Sequence, residues 1–295
     1  MLEKHEEVYE NEHRCMSKKE MNSLLPGLKK EEKTQWLGDV NAQTLQMSVK
    51  DLDTAYDRYF KKISAKPTFK SKYRRQCFKV PQYFKLLGDQ LWIPKLKSAI
   101  KVNMSREIIG KILYLHISKS TTGKYYVSLT VAGVYPIFEK TGKQTGIYLG
   151  VKEVAILSDG TKYENISALK KLRKKLAYEQ RQLSKKQKGS NSRQRQRKKV
   201  ALIHERITNR RNDYTAKMTT TIVSNHDFIA VEDLAVKNLM KNHHLANAFA
   251  DVSLGRIRTQ LQYKSAWNDR TFVMVGRFYA SSKTCSSCNV VKADL

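Results

Sequence analysis

The chain has 295 residues, 40% of them hydrophobic, which is enough to bury a core and divide into two or three domains and excludes a disordered polycation. It carries 56 Lys and Arg against 27 Asp and Glu, a net charge of +29 and an isoelectric point near 9.9, pointing to a polyanionic partner, nucleic acid first, although a ribosome-associated or simply soluble basic protein has the same composition. No apolar stretch approaches the ~20 residues of a membrane span, and the start MLEKHEEVYENEHR lacks the basic-then-apolar order of a signal peptide, so a cytoplasmic, nucleoid-associated protein without membrane contact is expected.

The segment up to about residue 63 reads as helical. In VNAQTLQMSVKDLDTAYDRYFKKI, the residues Leu45, Val49, Leu52, Tyr56 and Tyr59/Phe60 recur at steps of three and four and predict one core-facing stripe. The opposite face carries Gln43, Gln46 and Lys50. Glutamine pairs bidentately with adenine edges in a major groove, so this face suits base readout, and it equally suits a solvated polar face.

From Pro67 to about Pro136 short alternating runs (QCFKVPQYF, QLWIP, KILYLHIS, KYYVSLTV) are separated by turns at Gly88-Asp89 and Thr122-Gly123, which predicts a small antiparallel barrel or sandwich. Its entry, FKSKYRRQCFK, interleaves Phe69 and Tyr73 with Lys70, Lys72, Arg74 and Arg75. That pattern suits base stacking with phosphate neutralisation, and also an exposed basic strand edge.

TGIYLGVKEVAILSDG, residues 145 to 160, reads as a β-hairpin turning at Gly150-Val151-Lys152 and closed by Asp159-Gly160. The most basic stretch follows. Leu169, Leu172, Leu176 and Leu183 form one helical stripe and Val200, Ile203, Ile207, Tyr214, Met218 and Ile222 a second, with the break KGSNS between them, so a helical hairpin is expected. Its polar faces are almost wholly Lys and Arg, a self-repelling density that a nucleic-acid backbone would neutralise. Lys170, Lys171, Arg173, Lys174, Arg193, Arg195, Arg197 and Lys198 are the candidate backbone contacts.

DFIAVEDL is an apolar β-run ending in Glu232-Asp233, SLGRIRTQLQYKSAW is helical in character, and RTFVMVGRFY is a strand. Strands early, a carboxylate-bearing strand later and helices between are the order of an α/β fold of the ribonuclease-H type. Among the cysteines, Cys15 and Cys77 are isolated, whereas Cys285 and Cys288 form a C-x-x-C that suits two zinc thiolates or a redox pair. A structural zinc needs four ligands, so this pair stands as an orphan, and neither a structural zinc nor any other cofactor is expected.

Together GIYLGVKEVAILSDG, IAVEDLAVKNL, GRIRTQLQYKSAW and SSKTCSSC, with DLDTAYDRYF and FKSKYRR, resemble the transposon-encoded TnpB family, compact relatives of type V CRISPR effectors, over nearly the whole chain. The resemblance implies an α+β multidomain protein: a helical recognition region (1–66), an antiparallel β-barrel, wedge-like (67–140), and a RuvC-type ribonuclease-H-like domain (141–295) with the basic hairpin and a truncated zinc ribbon. It places Gln43, Gln46, Lys50, Lys70 and Lys72 near a target-adjacent motif. Its nucleases use three acids, an aspartate in the first strand, a glutamate after the later strand and an aspartate beyond the ribbon. Glu232 matches the second, Tyr148 stands at the first, and the sequence ends before the third and before the ribbon's second cysteine pair. Family members also usually begin with a strand and helix upstream of the region matched by MLEKHEEVYENEH.

A phenol, with a pKa of about 10, is a poor ligand for a hard cation, whereas a tyrosine there would keep the β-strand packed. Glu153, Asp159 and Asp233 lie at the hairpin turn, at its far end and on the neighbouring face, and none is placed to substitute. The departures resemble the TnpB-like nuclease-dead repressors. That subgroup implies a non-enzymatic protein that holds one guide RNA, pairs it with double-stranded target DNA as an RNA–DNA heteroduplex beside a short motif, and blocks transcription by occupancy. An RNA-guided metal-dependent endonuclease and a nonfunctional transposon remnant, or accessory RNA-binding protein, are the alternatives.

Overall fold

The structure, a computed structural model, describes residues 1–71, 76–235, 246–276 and Val290. The chain divides into two compact units, Met1–Tyr135 and Pro136–Leu295. No helix among the described residues is long and apolar enough to cross a membrane.

The first unit opens with helices α1 (Leu2–Glu12), α2 (Lys18–Ser23), α3 (Leu25–Leu28), a 3-10 helix (Glu32–Asp39) and α4 (Ala42–Phe60). Helix α2 starts at a capping box in which the Glu20 amide donates to Ser17 Oγ and the Ser17 amide to Glu20, so two otherwise unpaired N–H groups are satisfied reciprocally. Helix α4 buries Val49 against Met16 and Met21. The expected stripe continues through Tyr56, 7% exposed, but stops short of its end. Tyr59 and Phe60 are 38% and 53% exposed, because they occupy the last turn of α4, where the apolar cluster around Val49 does not reach.

The strands of this unit do not close. β1 (Gln76–Val80), β5 (Lys111–Lys119) and β6 (Tyr125–Ala132) form one antiparallel sheet in the order β1-β5-β6, and β2 (Lys85–Leu87), β3 (Gln90–Trp92) and β4 (Ile100–Lys101) another in sequence order. The expected barrel is thereby corrected: two open sheets share one core built on Val80, Leu91, Ile93, Leu115 and Ile117, a sandwich rather than a cylinder among the described residues. Strands of two or three residues cannot carry a ladder around a barrel. At the base of β5, Gly110 (φ 111°) lies so close to Ala132 that a Cβ would meet its carbonyl oxygen at 2.3 Å.

In the second unit β7 (Gln144–Leu149), β8 (Glu153–Leu157) and β9 (Lys162–Glu164) form an antiparallel meander. β10 (Phe228–Glu232) then pairs parallel with β7, and β11 (Thr271–Val275) parallel with β10, giving the order β11-β10-β7-β8-β9. Strict alternation in β7 and β10 sends Ile147, Leu149, Ile229 and Val231 into one core, where Met218, Ile222 and Val223 of α6 (Asn191–Asn225) and Leu254, Ile257 and Leu261 of α8 (Leu254–Trp267) meet them. A short α7 (Ala246–Val252) precedes α8.

Two polar clamps brace this unit, one at the sheet and one among its helices. Arg270, its side chain fully buried, pairs with Asp227 and donates to the carbonyls of Phe138 and Glu139, while Asp227 Oδ2 accepts from the amides of Thr141 and Gly142 at 2.9 and 2.6 Å. Residues 227 and 270 immediately precede β10 and β11, so one ion pair ties the entries of both strands to the segment leading into β7. Burial pushes the Asp227 carboxyl up, but the Gly142 and Thr141 amides and the Arg270 guanidinium outweigh it and hold the group below its ordinary value. The second clamp is Asp251, 9% exposed, which accepts from Arg211 Nη2 at 2.6 Å and from the Leu169 amide at 3.1 Å. It therefore supplies the N-terminal cap that Ser167, at a left-handed φ of 49°, does not give α5 (Ala168–Ser184).

Candidate nucleic-acid interface

Helices α5 and α6 form the expected hairpin around residues 185–190. Leu176 packs with Ile203 and Ile207 beside Leu169, Leu172 and Val200. The 35 residues of α6, about 50 Å at 1.5 Å per residue, serve two cores: the first half pairs with α5 and the second lies on the sheet. The tip is tied by Gln196, 5% exposed, which donates to the Glu179 carbonyl at 3.0 Å and to its carboxylate, and by Lys186 Nζ on Ser192 Oγ at 2.9 Å.

Of the candidate cations, Lys170, Lys171, Arg173, Lys174, Arg195, Arg197 and Lys198 are exposed. Arg193 differs. It is half-buried and its Nη1 donates to the Leu183 and Lys186 carbonyls at 2.8 Å each, capping the open end of α5, so its charge is turned inward to the hairpin. Lys175, Arg181 and Lys199 on the same two helices and Lys185 and Lys188 in the turn between them are also exposed and extend the basic surface beyond the expected set. Glu179, Glu205 and Asp213 are the acids of the hairpin, too few to balance it.

In the first unit Gln46, Lys50 and Lys70 are exposed, while Gln43 Nε2 donates to Gln82 at 3.1 Å, an intramolecular bond the sequence did not signal. Lys72 lies outside the described residues, as do Cys285 and Cys288; Cys15 and Cys77 are free and exposed.

The open face of the five-stranded sheet carries Tyr148. Val231 pairs with Ile147, so the next positions, Glu232 and Tyr148, stand side by side on neighbouring parallel strands. Tyr148 is 62% exposed, which corrects the expectation that it packs the strand: Leu149 and Ile147 do the packing and Tyr148 points away from them. Glu232 Oε1 accepts the Leu149 amide at 3.0 Å. The nearby acids are engaged elsewhere. Asp233 accepts from Arg258 at 3.1 Å; Asp159 accepts the Thr161 amide, a bond that with the Thr161 side chain holds its carboxyl below the usual range. Among the described residues no three His, Cys, Asp or Glu side chains gather as a metal site.

Residues 131–243 match the family model described as "OrfB_IS605: Probable transposase", and residues 255–294 match "Cas12f1-like, TNB domain". The chain is 33% identical over 298 residues to a "Putative RNA-guided DNA endonuclease" of Streptomyces pristinaespiralis, spanning 100% of this chain and 74% of the relative. It is 35% identical over 286 residues to "Putative RNA-guided DNA endonuclease InsQ" of Escherichia coli (strain K12), spanning 91% and 70% respectively. A chain of the "Cryo-EM structure of the Cas12f1-sgRNA-target DNA complex" superposes with a TM-score of 0.55 at 14% identity, covering 99% of this chain and 72% of that one, a likeness of fold.

Proposed function

The chain belongs to the TnpB family of IS605-type transposons, and on that premise we propose that it is an RNA-guided DNA-binding protein that represses transcription by occupancy and does not cut. Tyr148 carries this reading. In the proposed RuvC-type domain, which the sheet order β11-β10-β7-β8-β9 supports, the first-strand aspartate would stand beside Glu232, and a phenol stands there instead. Two-metal hydrolysis needs carboxylates converging on both ions. The described residues do not fit that group: Tyr148 is no hard-cation ligand, Glu232 is a single carboxylate with its Oε1 on the Leu149 amide, and Asp159 and Asp233 are bonded elsewhere.

The chain's own residues do the following. The exposed cations of α5 and α6 hold phosphates of a guide RNA, one protein per guide. Base pairing between that guide and the target strand carries the sequence information, while the face of α4 bearing Gln46 and Lys50, with Gln43, Lys70 and Lys72, meets the duplex at a short adjacent motif. Residence on a promoter then excludes RNA polymerase. The division into a helical region, a β wedge and a RuvC-type domain, and a nucleoid location, are parts of the same proposal.

The test is to express the protein with its native flanking DNA, purify it through high salt and sequence the RNA that stays bound. One discrete species with a structured 5′ part and a variable 3′ end matching a promoter is expected; heterogeneous RNA, or none, refutes the reading. Two relatives that span the chain are named as DNA endonucleases, which favours a second reading, guided cleavage with Glu232 as a surviving ligand. Magnesium- or manganese-dependent nicking of the matched target would establish it.

A further inference from the structure

We propose that the end of α4 and the facing side of α1 form a pocket for one unpaired nucleobase of RNA. The cavity measures about 370 Å³, toward the small end of the range for ligand pockets, and half of the residues that line it carry rings. His5 and Tyr56 stack at 3.9 Å with 15° between their planes, and Tyr56 stacks in turn on Phe60 at 6.1 Å and 24°. The ladder begins with two buried rings, His5 at 2% and Tyr56 at 7% exposed, and ends in an open one, Phe60 at 53%. Tyr59, tilted 56° against Phe60, and Tyr9, 51% exposed, stand at the mouth. A stack that ends in an exposed ring leaves a π-face for one further flat ring.

The interior also presents unused polar atoms. His5 Nδ1 and Tyr56 Oη are buried and have no hydrogen-bond partner, a condition native proteins avoid. Burial pushes the His5 imidazole below its ordinary pKa, so it lines the pocket as a neutral ring with a donor and an acceptor. Those two atoms lie beneath the surface, so the open face of Phe60 is what selects a flat heterocycle over an aliphatic ligand. Charge at the mouth gives no net attraction for a phosphate: Glu6 and Glu10 balance Lys62 and Lys66, with Lys66 Nζ 2.9 Å from Glu6. A neutral base enters, and its backbone stays outside, where the chain's net charge of +29 favours it.

The choice of RNA rests on the guide-RNA reading, and the test separates the two. The chain, stripped of nucleic acid at high salt, is titrated with a labelled single-stranded RNA hexamer and with the same hexamer made abasic, at about 0.3 M salt to weaken backbone contacts. Wild type is expected to prefer the base-bearing strand by about tenfold, the scale of stacking on aromatic side chains. Combined Tyr59→Ala and Phe60→Ala, at exposed positions whose loss leaves the fold intact, should remove the preference, and Phe60→Trp should keep it. Equal binding of the two strands by wild type, or a preference that survives the double substitution, overturns the pocket. A protein that copurifies with no discrete RNA yet discriminates the hexamers keeps the pocket and loses the guided-repressor reading; the reverse pattern does the opposite.

Discussion

The contrast between Arg193 and its neighbours on α6 separates binding from folding. Arg195, Arg197 and Lys198 are exposed, whereas Arg193 spends its guanidinium on the Leu183 and Lys186 carbonyls. If the exposed three each meet a phosphate, replacing them together by Gln removes about 0.7 to 0.9 from the slope of log K against log salt per contact, about 2 to 3 in total. Their stability cost should stay within about 0.5 kcal/mol each, as for ordinary surface positions. Arg193→Gln should do the reverse. It removes two charged-donor hydrogen bonds and takes the donor from the half-buried Lys186 carbonyl, while the Leu183 carbonyl keeps the Lys186 amide at 3.3 Å, a cost of about 1–3 kcal/mol, with the salt slope unchanged. Filter binding of the copurified RNA across a salt series and urea denaturation read the two quantities separately. A triple variant with an unaltered slope, or an Arg193 variant that loses slope while keeping its stability, would refute the assignment of the hairpin surface.

Asp251→Ala should destabilise the second unit by about 2–3 kcal/mol, the cost of breaking a buried charge pair discounted for the 20% exposure of Arg211, and denaturant titration measures it. Hydrogen bonds from the Ser17 amide, then its hydroxyl, then Arg14 bring the Glu20 carboxyl from 4.5 to about 2. A lowered folded-state value means that its contribution is complete above pH ~4.5 and fades as pH falls toward ~2, so Glu20→Gln should flatten the acid limb of stability in that window and leave the limb above it unchanged in shape. Tyr148→Asp, at a 62% exposed position, should cost about 1 kcal/mol in metal-free buffer, from lower strand preference and repulsion by Glu232, and place a second carboxylate beside it. With a weak affinity of about 1 mM, 10 mM manganese would then stabilise the variant by about 1.4 kcal/mol, a rise of about 3 °C in melting temperature; an equal rise in wild type would show that Tyr148 does not close the site.

What the sequence disclosed depended on how local the determining contacts are. The β7–β8 hairpin and the α5–α6 hairpin were legible because period-two and period-3.6 patterns and their breaking turns sit within a few residues of one another. The arrangement of the first unit's strands as two open sheets was not, since alternation identifies strands singly, while sheet assembly depends on pairings such as β1 with β5, which lie about 40 residues apart. Tyr59 and Phe60 fell on the right helical phase but on the final turn, and phase carries no information about whether a neighbouring element reaches that far. Arg193 shows the same limit for charge: its residue type fits a phosphate contact, and only the position of two carbonyls ten and seven residues back turns it inward. Asp251 and Arg211, 40 residues apart, left no pattern at all.

The sheet's open face joins these strands of argument. Parallel pairing of β7 with β10 is what sets residues 148 and 232 side by side, and alternation is what points residue 148 away from the apolar core. A side chain at 148 therefore lies outside the apolar core, and an aspartate there would leave that core's packing as it is. The substitution alters the chemistry of the face and spares the core, because Ile147 and Leu149 carry the packing on either side of it. Among the described residues the sheet, the basic hairpin and the ion pair at the entries of β10 and β11 surround Tyr148, which is the arrangement that the proposed occupancy without cleavage requires.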